Sequence, residues 1–336
     1  MTSKRNDKQK DGMTRSVANE VVGKGWTAAD IPNQAGKRAL VTGANSGIGY
    51  YAAVELARKR ARVLLACRDK AKGDAALARL RAEVADASAE VVLLDLASLE
   101  SVRAFAATEL ALGVPLDLLI NNAGVYAPKT RLETADGFEI QFGTNMLGHF
   151  ALTALLLPAL ERAAASQPQR PRVVTLASIA HKRARLNFDD LQSTKSYSPS
   201  GSYGQSKLAD LMFAFELDRR LRAAASGVMS VAAHPGVANT NLFVVGEFSP
   251  MERMVRRGFS VAIGALLNTE AQGAMPTLFA ATSPDVVGGG YYGPQGFQEM
   301  RGGDVGPAQV AAQALDKAAA ARLWGECERL TGISFL

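Results

Sequence analysis

Short apolar runs alternate with helical stretches along most of this chain, and that alternation constrains its fold more than any other feature. Apolar runs fall at residues 38–42, 62–67, 91–94, 116–120, 172–177 and 228–233, with a shorter one at 290–292. Helical spacing follows each of the first five in turn: Ala52, Ala53, Leu56 and Ala57; a charged, alanine-rich stretch at 70–84; a segment at 98–110; an apolar one at 145–162; then Leu208, Leu211, Met212 and Phe215. A strand that is apolar along its whole length must be covered on both faces, and the intervening helices supply that cover. The expected fold is α/β: a doubly wound parallel sheet of about seven strands, with helices on both faces. It forms a single domain over residues 36–336, and 48% hydrophobic residues suffice for one large core.

Charge and cysteine usage exclude several function classes. Residues 1–35 read as a polar leader, partly disordered, and half of the net charge of +6 lies in residues 1–25. The remainder has no basic stripe interleaved with aromatics, so no nucleic-acid partner is expected. Cys67 and Cys327 are far apart, and His149, His181 and His234 do not cluster. Neither a disulfide framework nor a metal site is implied, which suits a reducing cytoplasm. The N-terminus lacks the apolar run of a signal peptide. The most apolar long segment, 146–160, contains His149 and Pro158 and falls short of the ~18–20 residues of a membrane span. A buried helix is expected there, and no integral membrane span.

Two motifs carry chemistry. The first strand runs into Gly43-Ala44-Asn45-Ser46-Gly47-Ile48-Gly49. Glycines at a strand-to-helix turn let the backbone approach a pyrophosphate resting on the helix N-terminus. The spacing Gly-x-x-x-Gly-x-Gly differs from the usual dinucleotide fingerprint. The second motif is Ser202-Tyr203-Gly204-Gln205-Ser206-Lys207, which sets a phenol and an ammonium one helical turn apart. The cation favours the phenolate and draws the tyrosine pKa toward the working range.

In chain order, residues 42–49, Asp95-Leu96, Asn121-Asn122-Ala123-Gly124, Asn145, Ser178, Tyr203 with Lys207, and Pro235-Gly236 resemble the short-chain dehydrogenases/reductases, over residues 36–330. Ala66-Cys67-Arg68 and residues 145–150 resemble the retinol-dehydrogenase-like and protochlorophyllide-reductase-like members in particular. The resemblance implies an oxidoreductase that interconverts a carbonyl and an alcohol. Tyr203 would donate or accept the proton, Ser178 would bond the substrate oxygen, Lys207 would hold the nicotinamide ribose, and Asn145 would hold a water in the proton path. Asp95 would meet the adenine ring; Leu96, Asn122, Ala123, Gly124, Pro235, Gly236 and Thr240 complete the implied cofactor contacts. NAD-dependent relatives carry an acid at the turn where Arg68 stands here, so a guanidinium is available for a 2′-phosphate and NADP(H) is expected over NAD(H). Asp69 follows and could instead pair with Arg68.

Two other readings are weighed. A non-catalytic NADP(H)-binding regulator or scaffold conflicts with the intact Ser178, Tyr203 and Lys207. A sugar-nucleotide epimerase conflicts with the spacing of Gly43, Gly47 and Gly49. The stretch 181–202 is expected as a polar surface excursion that obstructs the usual dimer face, giving a monomer or an atypical dimer. His181 is expected on the surface, His149 packed, and His234 bonded at a strand end. Residues 240–267 resemble a substrate lid. Phe243, Val244, Phe259 and Val261 there imply a lipophilic carbonyl or alcohol, such as a retinoid, steroid or long-chain aldehyde.

Overall fold

A computed structural model describes residues 23, 25–126, 128–166, 168–237 and 268–336. The lid segment and most of the leader thus lie outside the described residues. Among the described residues, eight strands form one sheet: β1 (Arg38–Thr42), β2 (Arg62–Cys67), β3 (Ala89–Leu93), β4 (Leu118–Asn121), β5 (Arg172–Leu176), β6 (Met229–Ala233), β7 (Tyr291–Pro294) and β8 (Val305–Pro307). The order is β3-β2-β1-β4-β5-β6-β7-β8. Every neighbouring pair is parallel except β7 and β8. The antiparallel β8 is the strand that periodicity does not reveal. Three residues containing a glycine and a proline, after Gly302 and Gly303, read as a loop, and only pairing with β7 makes them a strand.

The helices are α1 (Gly47–Arg58), α2 (Lys70–Glu83), α3 (Leu99–Ala111), α4 (Gly148–Ser166), α5 (Pro199–Ala223), α6 (Glu270–Thr282) and α7 (Lys317–Thr331). Alternate strand residues divide the core between the two sheet faces. Leu40, Leu64 and Leu119 face α3, α4, α5 and α7. Val41, Leu65 and Ile120 face α1, α2 and α6. The last residues of the expected leader belong to the second layer: Ile31 is buried and the Trp26 ring meets Phe279 edge-on at 5.3 Å.

Helix α4 continues from a π-helical turn, Phe142–Leu147, so the polypeptide is helical from 142 to 166. By length and composition this helix is apolar enough to cross a membrane, yet 83% of its most apolar window is buried inside the protein. Its placement between α3 and α5 accounts for the apolarity. Helix α5 begins at Ser198, whose side chain accepts from Gly201 N, with Pro199 in the first turn. The 25-residue helix runs under the sheet, and Tyr203, Lys207 and Asp210 all lie on its buried length.

Candidate active site

Strand order reverses between β1 and β4, so their carboxyl ends diverge to β2 on one side and β5 on the other. A cleft of about 880 Å³ opens along that edge. At its centre Gly43 adopts φ +67°, which a residue with a Cβ rarely takes. A Cβ at Gly49 would sit 2.3 Å from Asn122 Nδ2, so α1 approaches β4 only because none is there. The Asn122 side chain donates to Thr42 O at 2.7 Å, and Asn122 N and Ala123 N both donate to Thr42 Oγ1 at 2.9 Å. His149 locks the arrangement from below. Its Nδ1–H donates to Asn145 O (2.8 Å), leaving Nε2 to accept from the Thr42 hydroxyl at 2.9 Å. Burial holds this imidazole neutral, with its pKa lowered to about 3.

Ser178, Tyr203 and Lys207 lie together at the β5 end of the cleft. Ser178 follows β5 and caps a 3₁₀ turn, Ile179–Arg183, accepting from Ala180 N at 3.2 Å. That bond fixes Oγ and leaves its proton free to donate. The Ser178 side chain lies close enough to the Tyr203 hydroxyl to lower its pKa. Tyr203 is 9% exposed, and its ring packs edge-on against Tyr126 with centroids 4.7 Å apart. Lys207 Nζ donates to Leu176 O and to Asp210 Oδ2, both at 2.8 Å. Burial raises the Tyr203 pKa, whereas Lys207 and Ser178 lower it and Asp210 and Tyr126 raise it further. The lysine pulls in the expected direction, but burial is larger, so Tyr203 is a protonated phenol at neutral pH.

The cofactor and catalytic residues assigned from the sequence line this cleft, with two exceptions. Thr240 lies outside the described residues. Asn145 sits behind the wall in the π-helical turn, fully buried. Its Oδ1 accepts from Val125 N at 2.8 Å, and its Nδ2 donates to Val125 O (3.1 Å) and Ser206 Oγ (3.0 Å). The carboxamide thus braces the loop after β4 to α5. Arg68 is exposed at the cleft mouth, and its guanidinium has no partner among the described residues. Asp69 does not pair with it: Asp69 caps α2, accepting from Lys72 N at 3.0 Å. Asp95 turns its carboxylate onto Ala97 N at 2.9 Å.

Two expectations are corrected. His181 is buried, not on the surface. Its Nδ1–H donates to Ser178 O at 2.7 Å, and its ring meets Tyr291 edge-on at 5.5 Å. The basic neighbours Lys182 and Arg183 misled, because the 3₁₀ turn sends the imidazole inward, leaves Arg183 exposed and brings Lys182 onto the Glu299 carboxylate. The excursion 181–202 is likewise only partly on the surface: Asp190, Leu191 and Ser193 are buried, and Asp190 accepts from Thr194, Lys195 and Ser196 backbone N–H groups. The sequence reading missed Tyr126 and Asp210. Asp210 stands at i+3 from Lys207 on the helix, a spacing that by itself reads as a solvated surface pair.

The glycine cradle and the free Arg68 suit a dinucleotide, and the Ser178–Tyr203–Lys207 group suits an alcohol or carbonyl beside it. The comparisons agree. Residues 37–245 match the short chain dehydrogenase family. The chain is 40% identical to retinol dehydrogenase 14 of Mus musculus over 311 residues, 89% of this chain and 86% of that protein. It is 41% identical to polyprenol dehydrogenase of Mus musculus over 304 residues, covering 90% and 86%. A solved structure of an uncharacterized Mycobacterium paratuberculosis protein superposes with a TM-score of 0.73 at 42% identity, covering 93% of this chain and 99% of that one. The chain belongs to the short-chain dehydrogenase family and is an oxidoreductase acting on CH–OH and C=O groups.

Proposed function

We propose that this enzyme is an NADP(H)-dependent oxidoreductase for lipophilic alcohols and carbonyls, with Tyr203 as its general acid and base. One observation carries the reading: Ser178, Tyr203 and Lys207 converge at one end of a cleft whose middle is the glycine cradle and whose other end holds Arg68. Gly43, Gly49 and the N-terminus of α1 would hold the pyrophosphate, and Arg68 the 2′-phosphate. When bound, the nicotinamide supplies or takes up the hydride.

The protein's part is proton management. In reduction, the Tyr203 hydroxyl gives its proton to the substrate oxygen while the Ser178 hydroxyl donates to the same atom. Both bonds strengthen as negative charge builds there, which is the condition for catalysis. The Lys207 ammonium stabilises the phenolate that Tyr203 becomes. Oxidation runs through the same groups with Tyr203 as acceptor, so it is favoured at higher pH. Val125, Tyr126, Ile179 and Val237 line the cleft around this group, and they favour an apolar substrate over a charged one. The substrates named by the relatives, retinol and polyprenol, are of the same character. The free, buried Cys67 and Cys327 fit a reducing compartment, and we place the enzyme in the cytoplasm.

Tyr203→Phe removes one hydroxyl and nothing else. Turnover of a long-chain aldehyde with NADPH is expected to fall by about 10²–10⁴-fold, with NADPH binding kept. Retained turnover would refute the role given to Tyr203.

A further inference from the structure

Asp210 lies beyond Lys207 on α5, 1% exposed, with Oδ2 accepting from the Lys207 ammonium at 2.8 Å. Its Oδ1 has no hydrogen-bond partner among the described residues. A half-satisfied buried carboxylate is a poor device for stability, since an apolar side chain of similar volume would serve the helix at least as well. Its effect is on Lys207. The ammonium has three N–H donors. Asp210 and the Leu176 carbonyl take two of them from behind, which leaves one for the cleft that Lys207 lines.

We propose that Asp210 is a positioning residue for the proton transfer: it anchors Lys207 and, by partly cancelling its charge, sets the pH at which the Tyr203–Lys207 pair releases a proton. The proposal rests on the role of Tyr203 given above.

The sign follows from Coulomb's law. An anion beside the pair makes every proton on it harder to remove. Burial pushes the Asp210 carboxyl up to about 6 against the pull of Lys207, so it is ionised at neutral pH. The other titratable groups that face this site are His149 on α4, Tyr126 after β4, Tyr291 on β7 and Cys327 on α7. Burial keeps His149 neutral and raises both Tyr291 and Cys327. Asp210 is therefore the anion that opposes Lys207. The pair loses its first proton as a unit, so the direction holds whichever of the two groups releases it.

Asp210→Asn keeps shape and removes charge. The pH midpoint for oxidation of 1-decanol with NADP⁺ is expected to move down by about 1 pH unit or more. Tyrosinate absorbance of the cofactor-free protein, corrected with Tyr203→Phe, is expected to titrate lower by a similar amount. Asp210→Glu keeps the charge, so its midpoints stay at the wild-type pH while kcat falls through a displaced ammonium. An unmoved midpoint in Asp210→Asn, or a moved one in Asp210→Glu, overturns the proposal. The Glu variant decides alone if the Asn variant does not fold. If Tyr203→Phe stays active, the catalytic role of Tyr203 fails instead, and the tyrosinate titration still decides the role of Asp210.

Discussion

In the proposed function, cofactor choice turns on Arg68. The residue follows β2, exposed at the cleft mouth, and the neighbouring Asp69 is turned away onto the first turn of α2. A free guanidinium there can bond a 2′-phosphate in a forked geometry, and charge-assisted bonds of that kind are worth about 1.5–3 kcal/mol. Arg68→Ala should therefore weaken NADPH binding by roughly 10–150-fold and leave NADH binding nearly unchanged. Fluorescence titration with both nucleotides checks this, and equal losses would show that Arg68 does not read the phosphate. The glycine turn, Ser178, Tyr203 and Lys207 were legible in the sequence because their chemistry depends on residue type and short spacing. Asp210 was not, because a carboxylate three positions from a lysine on a helix is usually a solvated pair. What makes it different is burial, which depends on α7 and β5 packing around α5 and so on contacts distant in sequence.

The connection from β7 to β8 is the element that closes the site beneath Pro235 and Gly236. Gln298 and Glu299 both take positive φ, 50° and 58°, a conformation that costs non-glycine residues roughly 1–2 kcal/mol each. The Glu299 carboxylate holds the turn: it accepts from Lys182 Nζ at 2.8 Å and from Gln309 N at 2.6 Å, and lies 3.4 Å from His234 Nε2. Met300 O then accepts from Val237 N at 2.7 Å, which ties the turn to the end of the Pro235-Gly236 segment. Burial would raise the Glu299 pKa, but His234, Lys182 and the Gln309 amide outweigh it and hold it at about 2, below the ordinary 4.5. A carboxyl depressed on folding adds stability that is complete above its unfolded pKa and is lost as pH falls through the folded one. Thermal unfolding from pH 5 to pH 2 should thus lose up to ~3 kcal/mol through this residue, and Glu299→Gln should remove that part of the slope. A variant with an unchanged slope would show that the carboxylate contributes no pH-linked stability. None of this was legible in the sequence. β1 and β2 could be read to the residue from their apolar runs, whereas the β7–β8 connection is rich in glycine and depends on long-range ion pairing. The π-helical turn that carries Asn145 was hidden for a related reason, since its residues keep the apolar spacing of the helix it continues.

At the scale of the whole molecule, the outer side of α4 and α5 is occupied by the chain's own C-terminus. Trp324 on α7 meets Phe150 of α4 edge-on at 5.2 Å and stacks on Phe213 of α5 at 5.9 Å, while Phe335 stacks on Trp324 at 4.6 Å. Arg220 of α5 lies over the Trp324 ring at 4.3 Å, and Arg322 of α7 lies over Phe188 in the 181–202 excursion at 4.2 Å. Leu323, Trp324 and Cys327 are almost fully buried, so α7 docks by a continuous apolar face. In many relatives, by the resemblance drawn from the sequence, the two helices corresponding to α4 and α5 pair subunits. A stable interface needs about 800 Å² from each partner, and here α7 and the excursion compete for that surface within one chain. Displacing α7 would strip Trp324 from its contacts, at a cost of roughly 3–5 kcal/mol if the site resembles other buried aromatics. Sedimentation velocity at micromolar concentration should accordingly find a monomer, or a dimer that persists when the exposed residues of α4 and α5 are replaced by glutamate. A tight dimer abolished by those replacements would mean that the helix pair is the interface after all.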